Sequence, residues 1–159
     1  GWAIPNVNQI SDIIACPGLD YCNLANARSI DIAQMISQRF NTEPALSNLG
    51  DLTLNISGCI NACGHHHVGH IGILGINKMG EEAYQLMLGG SSATDASLGK
   101  ILGRALEKSE MVDAIERVAR AYLRLRNDAD ERLLDVYRRL GPEPFRVAVY
   151  DENSQGKAA

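Results

Sequence analysis

The 159-residue sequence lacks the segments that would direct a chain to a membrane or out of the cell. It contains no run of about 18 apolar residues and no charged-then-apolar leader, so neither a transmembrane helix nor a secretory signal is predicted. We therefore expect a cytoplasmic protein without a membrane partner. An initiating methionine is also missing, because the chain opens on Gly1, and this leads us to expect a processed chain or an expressed fragment.

Basic residues are scarce in positions 1–100, which carry four lysines and arginines against eight acidic residues. The remaining positions carry 11 residues of each sign. A protein that binds nucleic acid needs a basic face to neutralise phosphates. Because the first part of the chain is acidic instead, nucleic acid is not an expected partner.

The residues that are present suffice for one folded domain. The length lies in the single-domain range, and 45% of the residues are hydrophobic, which is enough for a sizeable core. We expect an extended lead-in over residues 1–10, a single domain over residues 1–150 and a flexible tail over residues 151–159.

Hydrophobic periodicity predicts strands and helices that build a mixed α/β (α+β) fold, with a small sheet covered by helices. Strands are predicted at 12–16, 52–57, about 67–76 and about 83–88, with a hairpin turn at 77–80, and helices at about 25–40, 110–126 and 129–140. Segment 98–106 is ambiguous between strand and helix, and 89–97 is either a ligand-facing loop or a plain surface loop. The predicted helix caps are Asn23 or Asn26, Ser109, and Asp128 with Glu131.

All four histidines and two of the four cysteines lie in segment 57–70. Cys59 and Cys63 are four residues apart, so a single helical turn would place both thiols on one face. Gly58 and Gly64 flank this pair and allow the backbone to approach a cofactor closely. The segment is therefore the main candidate for chemistry.

The other two cysteines, Cys16 and Cys22, follow the predicted strand 12–16. Both pairs thus lie just beyond the carboxyl ends of strands, where α/β sheets usually form their sites. Spacing alone leaves three interpretations open. Two disulfides would need an oxidising compartment, and structural zinc usually binds more closely spaced cysteines than the five-residue gap between Cys16 and Cys22. Four thiolates also hold two-iron or four-iron clusters.

The two cysteine segments together resemble the paired signature of sirohaem-dependent sulfite and nitrite reductases. The first reads Cys-Pro-Gly-Leu-Asp-Tyr-Cys (16–22), and the second reads Ser-Gly-Cys-Ile-Asn-Ala-Cys-Gly (57–64). The continuation over residues 65–75 and the segment 80–90 resemble bacterial sulfite reductase haemoprotein subunits. The resemblance covers about residues 10–150.

This resemblance implies a function, cofactors and ligands. It implies that Cys16, Cys22, Cys59 and Cys63 ligate a [4Fe-4S] cluster and that Cys63 also bridges to the iron of sirohaem. The chain would be the C-terminal cluster-binding part of an assimilatory sulfite reductase, which reduces sulfite to sulfide with six electrons. The implied partners are the remainder of the reductase polypeptide, a ferredoxin or flavoprotein electron donor, and sulfite or nitrite.

Three alternatives remain beside this interpretation. An assimilatory nitrite reductase, which reduces nitrite to ammonia, shares the cofactors and cysteines. A stand-alone iron–sulfur electron-transfer module would need no sirohaem, and a zinc-stabilised domain would need no iron. Sirohaem is a polycarboxylate, and the scarce basic residues are too few to bind it together with an anionic substrate. We therefore expect this fragment to lack the catalytic residues and to be inactive alone.

The histidines and Asn61 are secondary candidates. His65, His66, His67 and His70 could tune the cluster, donate hydrogen bonds to sirohaem carboxylates or shuttle protons near neutral pH. Alternatively, at least two of them are exposed or hydrogen-bonded to the backbone. Asn61 lies between two cysteines and could donate a hydrogen bond to cluster sulfur or line the site.

Overall fold

The computed structural model describes residues 9–46 and 48–151. The strands are β1 (Ile13–Ala15), β2 (Leu54–Ser57), β3 (Ile71–Lys78), β4 (Glu81–Leu88) and β5 (Lys100–Ile101), and the helices are α1 (Ile30–Thr42), α2 (Lys108–Leu125), α3 (Leu133–Leu140) and α4 (Glu143–Tyr150). The predicted lead-in over 1–10 and tail over 151–159 lie almost entirely outside the described residues.

The five strands form one mixed sheet in which the spatial order β1-β2-β3-β4-β5 follows the chain. β1, β2 and β3 are parallel, whereas β4 and β5 add antiparallel. α1 lies in the connection from β1 to β2. The connection from β2 to β3, residues 58–70, contains only a short 3-10 helix, His66–Val68. The second cysteine segment is therefore itself the crossover that joins two parallel strands.

Helices cover one face of the sheet and form the core with it. Leu54 and Ile56 of β2 point to this face and are fully buried. The helices meet them with apolar side chains spaced three or four residues apart, which places these side chains on one side of each helix. On α1 and α2 they include Ile32, Ile36, Phe40, Met111, Ile115, Val118 and Tyr122. No helix among residues 9–46 and 48–151 combines the length and apolar character needed to cross a membrane.

The opposite face of the sheet carries the 3-10 helix His66–Val68. Strand register places Ile14, Asn55, Gly72, Met87 and Ile101 in one row across this face. The 3-10 helix fits over the row because Gly72 has no side chain. A Cβ there would lie 2.0 Å from the carbonyl oxygen of His66. At the edge of the sheet, Ile14 keeps 51% of its surface exposed.

The predicted strands 12–16 and 52–57 are confirmed as β1 and β2, and the predicted hairpin is confirmed as β3 and β4. The ambiguous segment 98–106 contributes the short strand β5. α1 starts later than predicted, with Ser29 rather than Asn23 or Asn26 at its N-cap. The reason is that the backbone N–H groups of Asn26 and Ala27 donate to the carbonyl oxygen of Gly58, at 2.8 and 3.0 Å, and hold this stretch outside the helix.

The caps of the next two helices also differ from the prediction. Ser109 does not cap α2, because Glu107, two residues earlier, is the N-cap and forms a reciprocal capping box with Glu110. The Asp128 carboxylate accepts the N–H groups of Asp130 and Glu131, each at 2.9 Å, and closes a turn before α3 instead of capping it.

Helix α4 is absent from the prediction. Gly141, with φ +75°, ends α3 as predicted, but Pro142 then serves as the N-cap of a further helix. Proline is tolerated at a helix start because the first N–H groups have no partner within the helix. Phe145 is fully buried, and the guanidinium of Arg117 donates to the carbonyl oxygen of Val149 at 3.0 Å, so α4 is anchored to α2.

Candidate metal centre

The first cysteine loop continues directly from β1. The backbone N–H of Cys16 donates to the carbonyl oxygen of Ile56 at 3.1 Å, which extends the pairing of β1 with β2 by one residue. The chain then turns through Gly18, whose φ is +63°, and the N–H of Cys22 donates to the Gly18 carbonyl oxygen at 2.9 Å. This bond closes a short loop that carries both cysteines.

The second cysteine loop follows β2 and consists of two successive turns. The N–H of Ala62 donates to the carbonyl oxygen of Cys59 at 3.2 Å, and the N–H of His65 donates to that of Ala62 at 2.7 Å. Ala62 and His65 have left-handed backbone angles, with φ of +58° and +53°. The single helical turn that would place the thiols of Cys59 and Cys63 on one face does not form, because a left-handed residue between them interrupts a right-handed helix.

The two loops pack against each other where Gly58 meets Cys16 and Gly18. The N–H of Gly58 donates to Cys16 Sγ at 3.1 Å. A Cβ on Gly58 would lie 2.6 Å from the carbonyl oxygen of Ala27, and one on Gly64 would lie 1.9 Å from that of Ile56. Both glycines thus allow neighbouring segments of the protein backbone to approach closely, and their approach to a cofactor stays a prediction. The expected meeting of the two loops at the carboxyl ends of β1 and β2 is observed.

The four cysteines are all free thiols and differ in their exposure. Cys59 is buried, Cys16 and Cys22 are partly buried, and Cys63 is exposed. The site therefore opens toward solvent at Cys63. Apolar side chains beside the cysteines are also exposed: Tyr21 and Ile60 at 82% and Leu24 at 72%. We call these three residues the apolar rim.

The chemistry of the donor set fits an iron–sulfur cluster. Within the part of the chain that the structure describes, no group of three or more His, Cys, Asp or Glu side chains is placed to hold a metal ion. Four cysteine thiols are a donor set that holds a [4Fe-4S] cluster with one thiolate at each iron. The amide donor at Cys16 Sγ and the glycines that let the loops close suit the cluster.

The predicted secondary site residues differ in environment. Asn61 and His65 are exposed, and His67 is half-buried. His66 is buried, its ring packs edge-on against that of His67 with centroids 5.2 Å apart, and its Nδ1 has no partner among the described residues. Burial, and secondarily His67, lowers the pKa of His66, which favours its neutral form near pH 7. Cofactor contacts for these residues remain predictions.

His70 has a structural partner. Its Nδ1 accepts the backbone N–H of Thr53 at 3.2 Å, and its own N–H donates to the Thr53 hydroxyl at 3.0 Å. These bonds tie the end of the second cysteine loop to the segment before β2. For His70, therefore, the structure favours the alternative of a backbone-bonded histidine.

Sequence reasoning missed Ser29 and Asn55. Ser29 is fully buried, and its hydroxyl reaches Cys16. The Asn55 side-chain amide donates to the carbonyl oxygen of His65 at 3.0 Å and so supports the second loop from β2. Asn55 did carry a signal, because a polar residue between Leu54 and Ile56 marks the face of the strand away from the core.

The two arginines in positions 1–100 are both engaged in ion pairs. Arg28 lies beside the first loop and forms ion pairs with Asp20 and Glu82. Those carboxylates, Glu82 foremost, raise the Arg28 pKa. Arg39 instead bonds Asp113 and Glu116 on α2. Two of the four basic residues in positions 1–100 are thus already paired.

Comparison with known proteins gives consistent matches. Residues 6–157 match the family described as the nitrite and sulphite reductase 4Fe-4S domain. Sulfite reductase (ferredoxin) 2 of Mycolicibacterium paratuberculosis is 31% identical over 128 residues, which cover 75% of this chain and 23% of that protein. An assimilatory-type sulfite reductase of Nitratidesulfovibrio vulgaris is 27% identical over 139 residues, covering 85% of this chain and 58% of the relative.

The solved structure of Mycobacterium tuberculosis NirA protein superposes with a TM-score of 0.73 at 28% identity, over 84% of this chain and 26% of that chain. The chain thus spans about a quarter of the length of its mycobacterial relatives.

These matches confirm the predicted fold and the recognised resemblance. The predicted [4Fe-4S] cluster agrees with the family's description, and sirohaem fits the family. Both of these curated relatives are named sulfite reductases. The paired cysteine loops, the mixed sheet and the matched range together lead to one conclusion: the chain belongs to the nitrite and sulphite reductase 4Fe-4S domain family.

Proposed function

We propose that this chain is the cluster- and sirohaem-binding part of a cytoplasmic assimilatory sulfite reductase. The observation that carries the proposal is the packing of the two cysteine loops against each other at the carboxyl ends of β1 and β2. There the Gly58 N–H donates to Cys16 Sγ at 3.1 Å. Residues 1–150 act as one cluster-binding domain in this proposal.

Cys16, Cys22, Cys59 and Cys63 are the proposed cluster ligands. The burial of Cys59 supports a role on the protein side of the cluster. The exposure of Cys63 supports a second role, because a thiolate on the open side of the site is available to a further cofactor. Sharing the Cys63 thiolate between cluster and sirohaem iron would supply a short electron path to the substrate.

The chain's own residues supply the cluster site more fully than the sirohaem site. Sirohaem carries several carboxylates, yet Arg28 beside the first loop is already paired with two acids. We therefore propose that other parts of the reductase polypeptide supply the cations for sirohaem and for sulfite, and that this chain alone does not turn over. The exposed apolar rim supports burial of this edge against that remainder.

A ferredoxin is the proposed electron donor, and a flavoprotein is the alternative. The name of the Mycolicibacterium relative specifies ferredoxin, which supports this choice. The donor is tested in the full-length reductase by comparing sulfite reduction with reduced ferredoxin and with an NADPH-linked flavoprotein. A higher rate with the flavoprotein would assign the alternative.

The cluster is tested by anaerobic reconstitution of the chain with iron and sulfide. We expect four irons per chain and a paramagnetic signal after one-electron reduction, and each Cys→Ala variant should lose iron. Asn23→Ala, beside Cys22 on the exposed side of the loop, is the matched control and should keep it. A folded chain that binds no cluster, or one that holds zinc instead, would overturn the proposal.

The substrate is tested separately in the full-length parent. We expect turnover of sulfite to exceed turnover of nitrite at equal concentrations. The opposite ratio would assign the domain to a nitrite reductase while leaving the cluster assignment unchanged.

A further inference from the structure

The N-cap of α1 carries a serine that does not cap its helix. Ser29 is fully buried, and its hydroxyl makes no capping hydrogen bond to the first turn. A serine at this position usually accepts an N–H of the first turn, and replacing such a cap by alanine costs about 0.5–2 kcal/mol. The helix therefore begins without a stabilising contact that its own N-cap residue could make.

The Ser29 hydroxyl is directed at Cys16 instead. Ser29 Oγ donates to the Cys16 carbonyl oxygen at 2.5 Å and lies 3.6 Å from Cys16 Sγ. The hydroxyl has one proton and two acceptors within reach. A negative charge on the sulfur makes the sulfur a better acceptor, so the hydroxyl can rotate toward it.

The surrounding backbone holds Ser29 in this position. A Cβ on Gly18 would lie 2.5 Å from Ser29 Oγ and 2.7 Å from its backbone nitrogen. The turn after Cys16 therefore wraps closely around Ser29, and only glycine allows that approach. Because the hydroxyl is buried, it must find its partners inside this turn.

Cys16 is electrostatically distinct from the other three cysteines. Within residues 9–46 and 48–151, it is the one cysteine whose sulfur takes part in a hydrogen bond, from the Gly58 N–H at 3.1 Å. Its sulfur also lies 3.6 Å from the hydroxyl of Ser29, the N-cap residue of the 13-residue α1, and the start of a helix carries partial positive charge. The amide, the hydroxyl and the helix start all favour negative charge on this sulfur.

We propose that Ser29 is a positioning residue for Cys16 that raises the reduction potential of the cluster. This inference rests on the proposed function, because it requires a cluster ligated by Cys16. One-electron reduction adds a negative charge that spreads over the cluster and its thiolates. Hydrogen bonds to the sulfurs stabilise that added charge and so favour the reduced state.

The test is a redox titration of the reconstituted chain, followed by electron paramagnetic resonance, with an external chemical reductant as the electron source. Ser29→Ala should give a more negative midpoint potential at unchanged iron content. Ser37→Ala is the matched control, since that hydroxyl accepts from the Asn41 side chain on an exposed part of the same helix. Its potential should equal that of the wild type.

Each outcome distinguishes the inference from the function on which it rests. If the wild-type chain assembles no cluster, both are overturned. If the cluster assembles and the potentials of wild type and Ser29→Ala coincide, or Ser37→Ala shifts equally, only the inference is overturned. If Ser29→Ala loses its cluster, Ser29→Gly decides, because it also removes the hydroxyl: a more negative potential supports the inference, and a wild-type potential or a second loss of the cluster overturns it.

Discussion

Gly64 occupies a position at which no side chain fits. A Cβ there would lie 1.9 Å from the Ile56 carbonyl oxygen and 3.2 Å from the backbone nitrogen of Cys16. Gly64→Ala must push the second cysteine loop away from β2, so we expect a loss of about 1–3 kcal/mol in the free energy of unfolding. Urea denaturation of the cluster-free chain measures this loss.

Gly99→Ala is the control for that experiment, because the nearest atoms to a Cβ there are 3.5 Å away. It should change the free energy of unfolding by less than about 1 kcal/mol. Equal losses in the two variants would contradict the steric explanation.

His70 is a buried histidine whose environment favours the neutral ring. Burial lowers its pKa most, Arg132 lowers it further, and the three carboxylates Asp51, Asp95 and Asp135 oppose them. The neutral state also suits Nδ1, which accepts the Thr53 N–H. Because the pKa is lower in the folded chain than the value of about 6.5 expected when unfolded, the unfolded chain takes up a proton first as the pH falls.

We therefore expect the free energy of unfolding to keep its full value above about pH 6.5. It should decrease as the pH drops through the lower folded pKa of His70. Urea unfolding of the cluster-free chain across this range measures the slope. His70→Gln should reduce the slope, whereas His65→Gln, at an exposed position, should preserve it. An unchanged slope in His70→Gln would show that His70 does not control this loss.

At the scale of elements, the loop between β4 and β5 is fastened to α3 through Asp95. Its carboxylate accepts from the Ser91 hydroxyl at 2.7 Å, from Arg132 at 3.1 Å and from Arg138 at 2.8 Å. These bonds, that of Ser91 first, hold the pKa of Asp95 well below its usual range. The loop is thus fixed in place, although glycine and serine residues are frequent in it.

Asp95→Asn removes the charge and keeps the size of the side chain. We expect faster amide hydrogen exchange at Ala93 and Ser97, since these amides bond Ser91 within the same loop. Asp113→Asn on α2, where an exposed ion pair to Arg39 is lost, is the control and should leave this loop unchanged. Unaltered exchange in Asp95→Asn would contradict the fastening role.

Elements whose signals are local were predictable from the sequence. The apolar run before Cys16 and the alternation before Cys59 indicate β1 and β2, and both cysteine loops follow from the ends of these strands. The start of α1 was not predictable, because a tertiary partner decides it: the N–H groups of Asn26 and Ala27 donate to the carbonyl oxygen of Gly58. α4 was missed because its stability depends on burial of Phe145 and on contact with α2. Nothing in the sequence signals the left-handed angle at Ala62.

At the scale of the whole molecule, the apolar rim of Tyr21, Leu24 and Ile60 leaves one edge incompletely covered. We expect the isolated chain to self-associate as its concentration rises, and the Tyr21→Ser/Ile60→Ser variant to do so less. Sedimentation equilibrium measures this association. Leu98→Ser, at a side chain 68% exposed in another loop, is the control. An equal reduction in both variants would contradict a specific role of the rim.

The sequence predicted the fold class and the acidic character of the cysteine-bearing part, because composition and family resemblance carry that information. It did not predict how the loops dock. That arrangement depends on the register of β1 with β2, in which Ile14 lies beside Asn55, and register is set by packing across the sheet.

The 13 residues 58–70 have two roles, because they carry two cysteines and also link the parallel strands β2 and β3. Parallel neighbours need a connection of about a dozen residues or more, whereas a short turn would force them to run in opposite directions. A deletion in this segment would therefore disrupt the parallel pairing of β2 and β3 as well as the placement of the two thiols. A descendant that lost its cysteines by substitution would still have to keep the length of this segment. The loop would then remain in the fold after its ability to bind metal had been lost.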